Sequence, residues 1–440
     1  MRRLIAVVTA GTVWLGLAAS ARAAPLGSIR EAQLGPSSYF YVFGLTSGPD
    51  GNLWFGQQGC MGLGHCGIGR LTPRGQAIEF RRGLEPGSLP YAVAPGAGGD
   101  VWFTDEGRRA AIGRITPQGA IAEFHRGLPR GSLPFEITAG PDGDVWFTDQ
   151  GRRPAIGRVT PAGRITEFRR GLAAGSIPFG ITAGSRGRVW FTDRGCSGSG
   201  RCAIGEVTAA GRITEFTSGL AAGAQPLGIA AGRGDEVWFA DSSGAIGQVG
   251  PAGRIREITD GLQTASSPVA IAAGPDGAMW FSDDGPRPAI GRITRRGTIR
   301  EFHRGLAAGS QPALLAPMPD GRVWFGDEGS VSALGAITTG TPAALRRAPA
   351  LGGAPSAGAA IECGRARWAT WDGVRPSVRL FAFDGDRWLR DGVAVPGARG
   401  DRYTSGSGEA GARLACRETV TYPPPLSVTA VTTSGARTVG

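Results

Sequence analysis

Lysine is absent from this chain of 440 residues, and all 47 basic side chains are arginine. So complete a replacement reads as a bias of the coding sequence, so no arginine is taken as chosen over lysine for its chemistry. Histidine is scarce too, with three copies, His65, His125 and His303. That leaves few side chains able to exchange protons near neutral pH. No Ser-His-Asp grouping, phosphate-binding loop or metalloprotease motif appears. A G-X-Y period is missing, which excludes collagen, and a hydrophobic content of 41% excludes a disordered chain. A persuasive helical period is missing beyond the N-terminus.

The net charge of +11 is not concentrated anywhere. Residues 1–23 carry three Arg and no acid, residues 24–340 carry 31 Arg against 28 acids, and residues 341–440 carry 13 against 8. No basic run is interleaved with aromatics, so nucleic acid is not an expected partner. The longest apolar run, Leu4 to Ala19, follows a basic start and precedes Ala21-Arg22-Ala23. It is short for a membrane span and reads as a signal peptide over 1–23. The expectation is an exported protein (secreted, periplasmic or at the cell surface) with no membrane span after cleavage.

What the sequence has in abundance is repetition. Trp-Phe pairs begin at Trp54, Trp102, Trp146, Trp190, Trp238, Trp280 and Trp324, spaced by 48, 44, 44, 48, 42 and 44 residues. Around each pair recurs "PFGITAG", a Gly-containing turn, "VWFTD", a variable stretch, "AIGRIT" and "PAGRITEFRRGL". Each unit reads as four short strands; in the fourth these are Phe179–Ala183, Arg188–Thr192, Ala203–Thr208 and Arg212–Phe216. Turns such as Pro141-Asp142-Gly143 combine a fixed φ, an Asx side chain and a residue free to take positive φ. The fold class expected is all-β: a seven-bladed β-propeller of four-stranded blades over residues 24–340. The last unit lacks its fourth strand, and Ile29-Arg30-Glu31-Ala32-Gln33-Leu34 is expected to supply it from the N-terminus, closing the ring.

Residues 341–359 read as an Ala/Pro/Gly linker and 360–440 as a small β-rich domain. Ala366 to Trp371, Val378 to Phe383 and Leu426 to Val431 look like its strands, with Trp368, Trp371 and Trp388 as core. Six cysteines in an exported chain suggest disulfides, for which sequence alone permits 15 pairings. Cys60 and Cys66, and Cys196 and Cys202, occupy equivalent loops, each lengthened by four residues, so they are paired within their loops. Cys363 is then left for Cys416. A zinc site at Cys60, His65 and Cys66 lacks a fourth ligand and the usual spacing.

The loops between second and third strands, and the connections between blades, share one face, here called the top. Variable loops on a rigid scaffold make it the default binding face. Three residues after each Trp stands an acid: Asp105, Asp149, Asp193, Asp241, Asp283 and Asp327, with Gln57 in the first unit. Glu106, Asp284 and Glu328 follow directly in three units. Such a set could ring a channel and hold a hard cation. The simpler reading is that each Asp satisfies nearby backbone or pairs with loop arginines such as Arg108, Arg152 and Arg287. Glu136 breaks a pattern, because its slot elsewhere holds Gly44, Ala92, Gly180, Gly228, Ala270 and Leu314. It is a candidate binding residue. His125 and His303 share a position on the outermost strand and His65 sits in a loop, so all three read as bystanders.

The repeat "PFGITAG…DVWFTD…AIGRITPAGRITEF" resembles the streptogramin B lyase (virginiamycin B lyase) family over about residues 29–340. The resemblance implies a seven-bladed propeller. It also implies a magnesium ion and a His base that open a cyclic depsipeptide by elimination across its ester. In that family the key His follows Pro at the start of late innermost strands, with a metal-binding Glu before the Pro. Here those positions read Ser267-Pro268-Val269 and Gln311-Pro312-Ala313, and earlier units offer Tyr91, Phe135, Phe179 and Leu227. Glu328 matches another family Glu and is the metal candidate. Two functions are therefore carried forward. One is a monomeric scaffold binding a small molecule, glycan or protein on its top face, without the lyase base. The other is a magnesium-dependent C–O lyase with catalytic groups relocated around Glu136, Glu328 and the Asp set.

Overall fold

The computed structural model describes residues 26–33, 41–58, 66–72, 76–197, 201–232, 234–250, 252–318, 321–329 and 332–339. Beyond them it describes 345–347, 350–353, 356, 358–364, 367–368, 387–421, 429–434 and 436–439. The expected signal peptide, Leu34, Cys60, His65, Trp371 and the strand expected at 378–383 lie outside the described residues. Among those described there is no α-helix, only strands and two short 3-10 turns, and no helix long and apolar enough to cross a membrane.

Seven four-stranded antiparallel sheets succeed one another along the described chain. Sheet two is representative, with strands Pro90–Pro95, Val101–Asp105, Ala111–Ile115 and Ile121–Phe124. The first strands of sheets one to seven are Val42–Ser47, Pro90–Pro95, Pro134–Ala139, Pro178–Ala183, Pro226–Ala231, Pro268–Ala273 and Pro312–Pro317. These touch one another in that cyclic order, and the last touches the first. The chain is a β-propeller with the first strands around its axis. In the fourth unit the observed strands, Pro178–Ala183, Arg188–Arg194, Cys202–Thr208 and Ile213–Phe216, fall where the repeat placed them. The N-terminal strand Ile29–Gln33 pairs antiparallel with Ala333–Thr338, Ile29 opposite Ile337 and Gln33 opposite Ala333. It completes sheet seven.

The Trp-Phe pair is explained by strand geometry. Successive side chains of a strand point to opposite faces, and each sheet here is covered on both. Trp102 packs into the cluster of the following sheet with Ile137, Val145 and Phe147. Phe103 packs backwards with Trp54 and Ile68 of the preceding one. Burying each such ring is worth about 2–3 kcal/mol by area. Gly113, on the third strand, lies against Phe103, and a Cβ there would collide with the ring. The glycine of "AIGRIT" is thus fixed by packing.

The C-terminal residues form their own small sheets. Leu345–Arg347 pairs with Arg367–Trp368, and Leu351–Gly352 pairs with Ala360–Cys363. The segment read as a linker from 341 to 359 therefore contributes two strands, because Leu351 is buried with Ile361, Trp388 and Leu414. Disulfides join Cys196 to Cys202 and Cys363 to Cys416. Cys66 is disulfide-bonded as well.

Candidate functional site

The strand register places the mouth of the channel. Pro90, at the start of a first strand, lies opposite Asp105, at the end of the second. The second-to-third loops and the inter-sheet connections therefore converge on one end, the top. Each first strand carries a register shift just after its opening residue. Such bulges re-aim side chains.

The six aspartates do not line this mouth. All are buried, Asp105 with no exposed surface. The Asp105 Oδ1 accepts N–H bonds from Leu89 (2.8 Å), in the connection entering its sheet, and from Gly107 (2.7 Å), in the loop leaving the strand. Asp149, Asp193, Asp241, Asp283 and Asp327 repeat this with Leu133, Ile177, Gln225, Ser267 and Gln311. Of the two roles considered, backbone satisfaction is the one the geometry realises. The ion pairs to Arg108, Arg152 and Arg287 do not form among the described residues.

The second oxygen of these aspartates reveals a partner that sequence reasoning missed. Glu123, in the "EF" of the outermost strand, lies within hydrogen-bonding reach of Asp105. Glu167 reaches Asp149, Glu215 reaches Asp193, Glu257 reaches Asp241, Glu301 reaches Asp283, and Glu31 reaches Asp327. The Oδ2 atoms of Asp105, Asp149, Asp193 and Asp241 are buried and find no ordinary donor. Two carboxylates repel unless a proton lies between them, so each pair favours the protonated form of one acid. Burial, helped by the neighbouring Asp, pushes Glu31, Glu123, Glu167 and Glu215 up to about 7. Glu257 and Glu301 move the same way. Sheet one lacks the pair: Gln57 replaces the Asp, and Glu79 turns to Arg81.

A second missed residue is the Thr of "VWFTD". Thr148 Oγ1 accepts the Glu136 N–H (3.1 Å) and donates to the Phe179 carbonyl of the next sheet (2.8 Å). Thr104 and Thr192 do the same, tying neighbouring first strands together.

The mouth itself is built from two rings. The inner one is the second residue of each first strand: Phe43, Tyr91, Phe135, Phe179, Leu227, Val269 and Ala313. Four of these form a continuous aromatic arc, with centroids 5.1 Å apart for Phe43 and Tyr91, 4.6 Å for Tyr91 and Phe135, and 4.7 Å for Phe135 and Phe179. The opposite side is aliphatic and smaller. The outer ring is the residue after each Asp or Gln57: Gln58, Glu106, Gln150, Arg194, Ser242, Asp284 and Glu328. The Arg194 guanidinium lies 4.8 Å from the Phe179 ring centroid, and burial lowers its proton affinity.

Of the acids singled out in the sequence, Glu136, Glu106 and Glu328 do converge electrically on this mouth. Burial pushes Glu136 up to about 7, and Glu106 adds to it. Glu106 and Glu328 are also held at about 7, chiefly by burial, with Asp284 contributing at Glu328. Tyr91 is displaced upward by burial and by the charges of Glu136, Glu106 and Glu328. The oxygen atoms of Glu328 and Asp284 are of the type a magnesium ion prefers. Glu328 and Asp284 are neighbours, but the third position is Gln311, whose backbone bonds Asp327 and Glu328. Among the described residues, three ligand atoms converge only at Glu85, Glu123 and His125 on the rim of sheet two. Those are already engaged with one another, with Arg109 and with backbone.

Residues 3–260 match the model of the virginiamycin B lyase family, and the chain belongs to that family. A catalytically inactive histidine-to-alanine variant of virginiamycin B lyase from Staphylococcus aureus, crystallised with quinupristin, is 30% identical. The match covers 71% of this chain and 99% of that one, with a TM-score of 0.61. A streptogramin B lyase structure is 29% identical over 71% and 97% of the two chains, also at 0.61. The WD40 β-propeller domain of Doa1 shares the fold alone, at 11% identity and a TM-score of 0.51 over 71% and 96%. No curated protein matches the sequence.

Proposed function

We propose that this chain is an exported seven-bladed propeller, with a small C-terminal β domain, that binds a ligand at its channel mouth without opening a depsipeptide ring. One observation carries this reading: the seven inner slots hold four aromatics and three aliphatics, with no imidazole. Elimination beside a carbonyl needs a positioned base, and Ala313 stands where the family resemblance puts a histidine. The relative in which a histidine is changed to alanine is catalytically inactive. The aromatic arc offers a face on which a flat apolar ring can stack. Arg194 and the acids Glu106, Glu136 and Glu328 supply polar contacts at its edge.

One observation favours the alternative, a lyase with a relocated base: Glu136 is held at about 7 beside Tyr91. A carboxyl raised toward neutrality, once ionised, can accept a proton. Incubation with quinupristin and magnesium separates the two. The binding reading expects the antibiotic to be recovered with its ring intact. A ring-opened product lost in Glu136→Gln establishes the lyase. Saturable fluorescence of anilinonaphthalene sulfonate, abolished by Phe135→Ser, tests the arc directly; no saturation sinks the binding claim.

A further inference from the structure

Sheets two and six end their outermost strands alike, in His125 and His303, yet the two rims are completed differently. In sheet two, the His125 Nδ1 donates to the Ala110 carbonyl (2.9 Å), which directs Nε2 to the Glu85 carboxylate at 3.0 Å. Arg109 reaches the same Glu85 oxygen at 3.3 Å. One carboxylate thus sits between an imidazole and a guanidinium.

In sheet six, the His303 Nδ1 donates to the Pro288 carbonyl at 2.8 Å, and Arg287 takes the sequence position of Arg109. The backbone of Gln263 bonds Glu301 just as that of Glu85 bonds Glu123. The carboxylate, however, has become an amide, which turns away to donate to the Arg287 carbonyl (2.5 Å) and toward Asp283 (3.4 Å). Among the described residues, Arg287 forms no ion pair and the His303 Nε2 makes no hydrogen bond, although Glu301 interacts with that ring electrostatically. At this spot a cleft of about 740 Å³ opens, lined by Arg287, His303, Ser267, Asp284, Ser310 and Gln311.

We infer that this cleft seats the carboxylate of a ligand between the His303 Nε2 and the Arg287 guanidinium, in the place that Glu85 fills within sheet two. Arginine offers a carboxylate paired donors, and with Nδ1 donating to Pro288 the ring adds a third from Nε2 in its doubly protonated, imidazolium form. The other charges facing the cleft are acidic. Glu301 is engaged by Asp283 and by the backbone of Gln263. Asp284 is exposed on the wall nearest the mouth. A second, cationic or N–H-bearing end of the ligand suits Asp284, so an amino-acid-like zwitterion fits better than a dianion. The site lies outside the ring of aromatics, so it stands whether or not the mouth reading does.

The test uses the whole protein and its few histidines. Nitrogen-edited spectra of the imidazoles follow His65, His125 and His303 during titration with sodium acetate against sodium chloride at equal ionic strength. The expected result is a saturable shift of His303 alone, present with acetate and absent with chloride. Gln263→Glu supplies the carboxylate from within, and should abolish that response while giving His303 the spectral character of His125. Arg287→Ala, at an exposed position, should abolish it without altering the melting temperature. A silent His303 in the wild type overturns the proposal, as does an undiminished response in Gln263→Glu.

Discussion

Glu31, on the first described strand, lies close enough to Asp327, at the end of the second strand of sheet seven, for that carboxylate to help hold its proton. The same Glu31 accepts the N–H of Ala307, in the connection entering that sheet. One carboxyl therefore joins the N-terminal strand to the last sheet and to the segment leading into it. Five other sheets repeat the arrangement within continuous chain.

The acid pairs predict a direction for stability against pH. Each Glu holds its proton more tightly folded than unfolded, so its contribution is complete below the unfolded value of 4.5 and fades as pH rises through about 7. Solvent contact reduces the full linkage to about 1 kcal/mol per pair. The melting temperature should climb as pH is lowered from 8 to about 5. A flat or opposite profile in scanning calorimetry contradicts the shared protons.

Replacing Glu31 by Gln keeps a donor toward Asp327 and an acceptor for Ala307 at every pH. Glu31→Gln should hold the wild-type melting temperature at acid pH and exceed it above neutrality. Glu31→Ala leaves Asp327 and the Ala307 N–H short of a partner and should cost about 1–3 kcal/mol. Equal behaviour of the two variants counts against the pair.

Deleting residues 26–33 removes the strand opposite Ala333–Thr338 and uncovers the cluster that Ile29 shares with Trp280 and Phe325. An open sheet edge also invites association. Lower thermal stability and concentration-dependent light scattering are expected. A truncated protein that melts as before refutes the closure.

Thr192→Val removes the hydroxyl that accepts from Gly180 (2.9 Å) and donates to Leu227 (2.6 Å) while keeping side-chain volume. Two buried backbone groups lose a partner, at a cost of about 2–4 kcal/mol in denaturant titration. Ala240, at the equivalent site in sheet five, lacks the hydroxyl, as do Gly56 and Gly326 in sheets one and seven, so Ala240→Thr should stabilise slightly.

The fold was legible because one requirement recurs in every sheet. Trp faces one neighbour and Phe the other, and nothing in between disguises the period. The acid pairs were harder to see. Asp105 and Glu123 lie in separate strands with a third between them, and Asp alone already had an explanation in backbone bonding. In sequence the Glu of each "EF" recurs even where the Asp becomes Gln57, as Glu79 shows, so the two positions do not visibly vary together. Tyr91, Phe135 and Phe179 were legible as the residues filling inner slots, but their stacking with Phe43 into one arc shows only in the ring spacings. Glu136 stood out as a break in a repeat and does sit at the mouth. His303 could not be told from His125 by sequence position; the difference lies in Gln263, a connection away.

Pairing the earliest-made strand with the last-made sheet has a consequence for biogenesis. Ile29–Gln33 is made before every other described strand, yet its hydrogen-bonding partners are synthesised only after six complete sheets. The ring cannot be sealed while the chain is still growing, and sealing it is a long-range event of the kind that slows folding. Until then the polypeptide stays unlocked, and the circle is fastened only when its two distant ends meet.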